Sequence, residues 1–263
     1  MKLTFVAPLL AALAAASVAY AQDPTWGPTG YLAADAFDIL AVLPAAPAPD
    51  DARGEADRAI FRDTRVLQGT PRWDLATRDV TINAGALLHD YSCALGVSLT
   101  TATAPKVTQV VTRAAADTST QSNRAKNHYR RQRPYAFDQG ETCQPREELA
   151  HSFDYPSGHT TYGWTWATLL SRLAPDRATQ ILARGRSYGE SRVVCGVHNY
   201  SAVQAGYLTS TATLAAVEEV PAFKADLEAA RAELAALRAD PATPRPDAAQ
   251  CAAEAELIAQ PIL

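Results

Sequence analysis

From residue 55 onward the apolar positions recur at intervals of three and four, and strand-like alternation is scarce. Residues 55–68 carry Ile60 and Val66 on a helical spacing, and residues 73–99 place Ile82, Leu87, Leu88, Cys93 and Leu95 among small residues. A Thr-rich turn precedes a predicted helix at 103–118. A strongly charged one at 123–133 should be stopped by Pro134. Residues 158–173 form an apolar helix with Trp164, Trp166, Leu169, Leu170 and Leu173, ended by Pro175, and a further helix starts there and runs to 190. Residues 201–217 read as apolar and helical. Residues 223–238 are amphipathic, with Phe223, Leu227, Ala230, Leu234 and Leu237 on one stripe. The pattern predicts an all-α, single-domain helical bundle over residues 56–240. A Pro- and Ala-rich lead-in at 22–55, with one short helix near 34–40, precedes it, and a C-terminal tail at 241–263 follows. The amphipathic stripe at 223–238 packs on its own bundle by default; a homo-oligomer seam is the alternative.

The first residues change the picture of where this bundle works. Lys2, an apolar stretch from Phe5 to Ala19, and the small-x-small site Ala19-Tyr20-Ala21 fit a cleaved signal peptide at 1–21. The expected location is therefore periplasmic or secreted. No later window is apolar enough to cross a bilayer, so no membrane association is expected. Losing Lys2 and no acid takes the formal charge from −4 to −5, which argues against nucleic acid as a dedicated partner. About 240 residues remain, enough for one well-buried domain. Cys93, Cys143, Cys195 and Cys251 follow no zinc spacing, and an even count in an exported chain suggests two disulfides. Three connectivities are open; Cys93–Cys195 and Cys143–Cys251 are the expected pairs, the second tethering the tail.

Three blocks carry candidate chemistry. Lys126 and Arg133 bracket a basic run that ends at Pro134. On one helix they would fall about 20° short of two full turns apart and so face one anion together. Alone, such a run is more often a solvated basic face, and His128 within it should point elsewhere. The second block is Pro156-Ser157-Gly158-His159 at the mouth of an apolar helix. A helix start offers unpaired N–H groups to an anion, Gly158 permits close approach, and Ser157 can cap or donate. Its bland reading is an ordinary capped helix. The third block holds Ser191, Arg192, Gly196 and His198, followed by Ser201 to Gln204 in the form of a capping box. Here a buried ion-paired arginine and a core histidine would be the structural alternative.

Taken together, the blocks resemble the three-part signature of the type 2 phosphatidic acid phosphatase superfamily. They are closest to its soluble branch, the class A bacterial non-specific acid phosphatases. The likeness spans about residues 73–238 and includes "YPSGHTTYGW" and "GESRVVCGVH". It implies that His198 is the nucleophile forming a phosphohistidine and that His159 protonates the leaving alcohol and later activates water. Lys126, Arg133 and Arg192 would hold the phosphate oxygens with Ser157 and the Gly158 N–H. Phosphate esters would be the small-molecule substrates, with no cofactor and no metal. Physically, phosphoryl transfer needs fixed positive charge and in-line positioning, and a neutral histidine is a competent nucleophile near pH 6.

One position departs from the family pattern. An aspartate is expected four residues after the nucleophile, where it fixes the imidazole tautomer, and here that residue is Ala202. Ser201, Asn199, a backbone carbonyl or a distant carboxylate would have to substitute. Reduced activity, raised by Ala202→Asp, is the corresponding expectation. A catalytically silent phosphate-binding relative is the main alternative, and a vanadium-dependent haloperoxidase a lesser one.

Overall fold

A computed structural model describes residues 29–263; the expected signal peptide lies outside the described residues. Among the described residues ten α-helices follow one another: α1 (Ala52–Thr64), α2 (Pro71–Arg78), α3 (Ala84–Asp90), α4 (Ser92–Leu95), α5 (Pro105–Tyr129), α6 (Gly158–Leu173), α7 (Ala178–Val194), α8 (Tyr200–Val217), α9 (Pro221–Ala239) and α10 (Ala248–Ala259). No strand occurs among the described residues. The fold is all-α. Helix starts follow local chemistry: the side chains of Asp51, Thr70, Asn83, Ser157 and Asp247 each accept a first-turn N–H. Prolines open α2, α5 and α9, where a missing N–H costs nothing.

Helix α6 lies at the centre, packed on α5, α7 and α8. Its Trp166, Leu169 and Leu170 are buried with Val107, Val110 and Val111 of α5, Ile181 and Tyr188 of α7, and Leu214 and Val217 of α8. Two glycines set how closely the helices approach. A Cβ on Gly163 would fall 2.4 Å from the Tyr188 ring. One on Gly206 of α8 would fall 2.8 Å from Thr160 Cβ and 2.9 Å from the Ser157 carbonyl oxygen. On α9, Phe223, Ala230 and Leu234 enter the same core, with Leu227 and Leu237 against its edge. The amphipathic stripe thus packs on its own bundle.

The structure differs from the sequence reading in several places. The helices expected at 103–118 and 123–133 are one helix, α5, which ends at Tyr129 rather than at Pro134. Arg130 closes it in the left-handed region at φ 50°, its N–H bonding the Lys126 carbonyl. In the lead-in, the short helix is a 3-10 turn at Ile39–Ala41. The tail contains α10, capped by Asp247.

Both expected cysteine pairs are wrong. Cys93 bonds Cys251, fastening α10 to α4, and Cys143 bonds Cys195 at the end of α7. The Cys143 N–H also donates to the Cys195 carbonyl, so the 143 segment runs alongside the end of α7. Spacing along the chain carried no information about either neighbour.

The α6–α8 contact gives a stability test. Gly206→Ala forces a methyl against Thr160 and the Ser157 carbonyl, and overpacking of this kind costs about 1–3 kcal/mol. For a domain of this size that lowers Tm by roughly 2–4 °C per kcal/mol. A thermal melt followed by far-UV circular dichroism reads it; an unchanged midpoint would mean the two helices have slack where they cross.

Candidate active site

The three blocks come together where the C-terminal end of α5, the mouth of α6 and the end of α7 meet. Lys126 sits in the last turn of α5 and its Nζ donates to the Phe153 carbonyl. Arg133 does not share that helix. It arrives on an extended stretch beyond the Arg130 turn, at φ −78° and ψ 158°. The two-turn argument therefore fails, although both cations reach the same place. The Arg133 guanidinium is held by the Ser152 carbonyl at 2.8 Å, the Ser152 hydroxyl at 3.1 Å and the Val197 carbonyl at 2.6 Å. Its Nη1 lies 3.1 Å from His198 Nε2.

Arg192, in the last turn of α7, donates through Nη2 to Gln144 Oε1 at 2.7 Å, while its Nε and Nη1 are buried without a hydrogen-bond partner. Such groups are costly unless something accepts from them. Lys126, Arg133 and Arg192 are only 7, 5 and 0% exposed, so three cations are held away from water together. Burial, then Arg133, pushes Lys126 down to about 7. Burial likewise lowers Arg133, and takes Arg192 to about 10. Positive charge in short supply of partners is what an anion site looks like before its anion.

The α6 mouth faces this charge. Ser157 caps the helix, its Oγ accepting from the Thr160 N–H at 3.3 Å and the Thr160 hydroxyl at 2.9 Å, which leaves its own hydroxyl proton to donate. A Cβ on Gly158 would meet only Lys126 Cε, at 3.6 Å. Packing alone does not demand glycine there; the absent side chain leaves the helix-mouth N–H groups open towards the lysine. His159 Nε2 donates to the Val80 carbonyl at 3.0 Å, so Nδ1 is its unprotonated nitrogen. Burial, then the Arg192 guanidinium, holds His159 well below the ordinary histidine value.

His198 is buried, and its Nδ1 lies 2.9 Å from Asp154 Oδ1. Beside a carboxylate Nδ1 is the donor, which leaves the Nε2 lone pair directed at the Arg133 edge of the site. Burial, then Arg133, Lys126 and Arg192, keeps this imidazole far below its usual pKa and therefore neutral. Burial pushes Asp154 up; Arg131, the Asn199 amide, Arg133 and Lys126 oppose it.

Sequence reasoning allowed for Asn199 or a distant carboxylate beside His198 but did not single out Asp154, Arg131, Gln144 or the Val80 carbonyl. Asp154 stood in view two residues before Pro156, but nothing in its spacing pointed to His198. The expected capping box at Ser201–Gln204 is also absent. Asn199 occupies the cap position without a side-chain bond to the helix, and the carboxylate of Asp57 on α1 accepts the Ser201 N–H at 2.8 Å. His128 is exposed, edge-on to Tyr129, as anticipated. Among the described residues no group of three or more His, Cys, Asp or Glu could hold a metal ion, and no helix is long and apolar enough to cross a membrane.

Comparison with known proteins agrees with this geometry. The PAP2 superfamily pattern matches residues 93–223, which contain all three blocks. An acid phosphatase of Zymomonas mobilis is 39% identical over 204 residues, covering 77% of this chain and 76% of its own. Non-specific acid phosphatases of Providencia stuartii and Salmonella typhimurium are 34% and 31% identical, over 74% and 70% of this chain and 80% and 75% of theirs. With likeness extending over most of both chains and every block of the signature gathered at one site, the protein belongs to the PAP2 superfamily and, within it, to the class A non-specific acid phosphatases.

Proposed function

We propose that this protein is an acid phosphatase that hydrolyses phosphate monoesters through a phosphohistidine on His198. One observation carries the reading: the His198 Nδ1 is engaged by a carboxylate, so its Nε2 lone pair faces a pocket of desolvated cations with unpaired donors. Lys126, Arg133 and Arg192 hold the equatorial oxygens of the ester, joined by the Ser157 hydroxyl and the Gly158 N–H. The Nε2 lone pair attacks phosphorus in line as the bond from phosphorus to the leaving oxygen breaks, and His159 delivers a proton to that oxygen. In the second half His159 takes a proton from water, the hydroxide attacks phosphorus, and the N–P bond breaks to release phosphate. The three cations stabilise the charge spreading over the equatorial oxygens throughout, and no step calls for a metal.

The proton inventory fits a substrate-triggered acid. His159 is held neutral by burial and Arg192. A dianionic ester placed beside it cancels the cationic field and favours the protonated ring, so substrate binding arms the acid. The two disulfides favour an oxidising, extracytoplasmic location. With the signal peptide expected at 1–21, periplasmic or secreted function is the reading. A binding-only relative was suggested by Ala202, and the Asp154 contact removes that feature's force.

The decisive experiment is brief exposure to substrate at mildly acid pH, rapid quenching, and mapping of acid-labile phosphate. It should fall on His198, and His198→Ala should lose at least about 10^4-fold in turnover. Phosphate recovered on another residue would replace the nucleophile.

His159→Ala separates the two imidazoles. Alkyl phosphates, whose leaving group needs a proton, should slow by roughly 10²- to 10⁴-fold. p-Nitrophenyl phosphate, with a weakly basic leaving group, should slow far less. Equal losses on both substrates would remove the acid role.

Lys126 makes a third test. Its pKa of about 7 means it is largely neutral at pH 8 before an anion arrives. Binding inorganic phosphate at that pH should draw in protons, seen by titration calorimetry in buffers of different ionisation enthalpy. Lys126→Met should take up fewer, and identical uptake in both proteins would place the titrating group elsewhere.

A further inference from the structure

We propose that Asp154, braced by Arg131 and Asp57, is the carboxylate that positions the nucleophile His198, so that position 202 has no part in orienting it. The proposal rests on the phosphohistidine reading above.

Every group facing the Asp154 carboxylate is a donor. Oδ1 accepts from His198 Nδ1 at 2.9 Å and from the Asn199 N–H at 3.2 Å. Oδ2 accepts from Asn199 Nδ2 at 2.8 Å and lies 3.3 Å from Arg131 Nη1. Arg133 Nη1 can only donate and lies 3.1 Å from His198 Nε2, so Nε2 accepts and the ring proton sits on Nδ1, facing the carboxylate.

Arg131 makes a buried anion tenable at this place. Its Nη2 donates to Asp57 Oδ2 at 2.8 Å and its Nη1 to the Ser201 hydroxyl at 2.7 Å. Asp57 in turn accepts the Ser201 N–H, so a string of bonds runs from α1 through Arg131 to Asp154 and the start of α8. Arg131, itself shared with Asp57, thus keeps the Asp154 negative charge beside the imidazole, against the field of Arg133, Lys126 and Arg192. That charge balances the ring when it becomes cationic on taking the phosphoryl group. Neither Asp57 nor Asp154 belongs to the three blocks, and Arg131 lies inside the first without being one of its expected anion ligands.

Position 202 is unsuited to the task in this chain. The Ala202 methyl is fully buried in an apolar cluster with Ile39, Ala125 and Tyr155, and its carbonyl accepts the Ser157 N–H at 2.9 Å. A carboxylate introduced there would enter apolar surroundings at the back of the α6 mouth. Ala202→Asp should therefore lower turnover, the reverse of the expectation drawn from the sequence.

The test combines three readouts on purified full-length mature protein. In Asp154→Asn an amide NH₂ must face donors whichever way it turns. Phosphohistidine formation should slow by roughly 10²- to 10⁴-fold, while KM for p-nitrophenyl phosphate and inhibition by inorganic phosphate stay within about threefold. The 15N shifts of the His198 ring should report the proton on Nδ1 in the wild type and lose that single assignment in the variant. Should Asp154→Asn fold poorly, Arg131→Lys keeps a charge near Asp154 but not the fork, and roughly tenfold slower turnover at constant KM is expected. Wild-type phosphorylation rates in Asp154→Asn, an equal collapse of phosphate affinity, or faster turnover in Ala202→Asp would each overturn the proposal. If the wild type itself forms no phosphohistidine, the underlying chemistry fails, whereas the ring shifts still decide whether Asp154 sets the tautomer.

Discussion

Holding Lys126, Arg133 and Arg192 out of water, side by side, is the constraint around which this molecule is arranged. Each is nearly or fully buried, and like charges at close range in a low-dielectric interior repel strongly. The Asp154 charge acts on both Lys126 and Arg133, and it is shared with Arg131 and His198. Neutral dipoles do much of the remaining work: the carbonyls of Phe153, Ser152 and Val197 and the amide of Gln144 each accept from one of the three. These contacts satisfy the cations in part, and the unpaired Nε and Nη1 of Arg192 are the residue of that incomplete satisfaction. The phosphate ester proposed above as substrate would bring both the charge and the acceptors that these donors call for.

The frame that resists this repulsion is a second, well-paired ionic cluster behind the site. Arg184 meets Asp79 at 2.6 and 3.2 Å, Ser191 donates to the same carboxylate at 2.6 Å, and Arg72 donates to Ser191 at 3.0 Å. Removing one member would strand a buried charge, so the group locks α2 against α7. Its position matters for chemistry because each edge touches the site. Ser191 immediately precedes Arg192, and Asp79 immediately precedes Val80, whose carbonyl fixes the His159 ring. His159 and Arg192 are consequently registered to the same rigid cluster, and a shift in either would disturb a bond of full strength.

Most of the helical architecture was legible in the residue pattern. The α6 boundaries were read directly, because a Ser cap, an apolar run and a following proline are all local signals. The stripe at Phe223, Ala230 and Leu234 also marked a buried face correctly. Failures occurred where structure depends on partners distant along the chain. Nothing local showed that α5 would end in a left-handed Arg130, a conformation usually left to glycine, so Arg133 was put on the wrong element while its destination was right. Cysteine pairing failed for the same reason, since Cys93 and Cys251 meet only because α10 folds back onto α4. Motif spacing singled out groups that the fold brings together, but not the groups that hold them in place. A phosphate contact constrains residue type strongly, whereas a buried hydrogen bond to His198 can be supplied from any segment that passes within 3 Å.

That freedom explains how a carboxylate from a different segment reaches the His198 Nδ1. What the imidazole requires is an acceptor in line with Nδ1, a direction in space and not a position in sequence. The segment 152–159 is well placed to supply it, because it already organises the site. The Ser152 carbonyl holds Arg133, the Phe153 carbonyl holds Lys126, Ser157 caps α6, and His159 is tied to the Val80 carbonyl. With Asp154 in the same run, cation placement, nucleophile orientation and helix-mouth donors are set by one short stretch of backbone, clamped at one end by the Asp154 N–H to the Arg131 carbonyl and at the other by the Ser157 N–H to the Ala202 carbonyl. Errors in placing one group then move the others with it, which preserves their relative geometry. In-line transfer depends on that relative geometry far more than on the location of the site within the bundle.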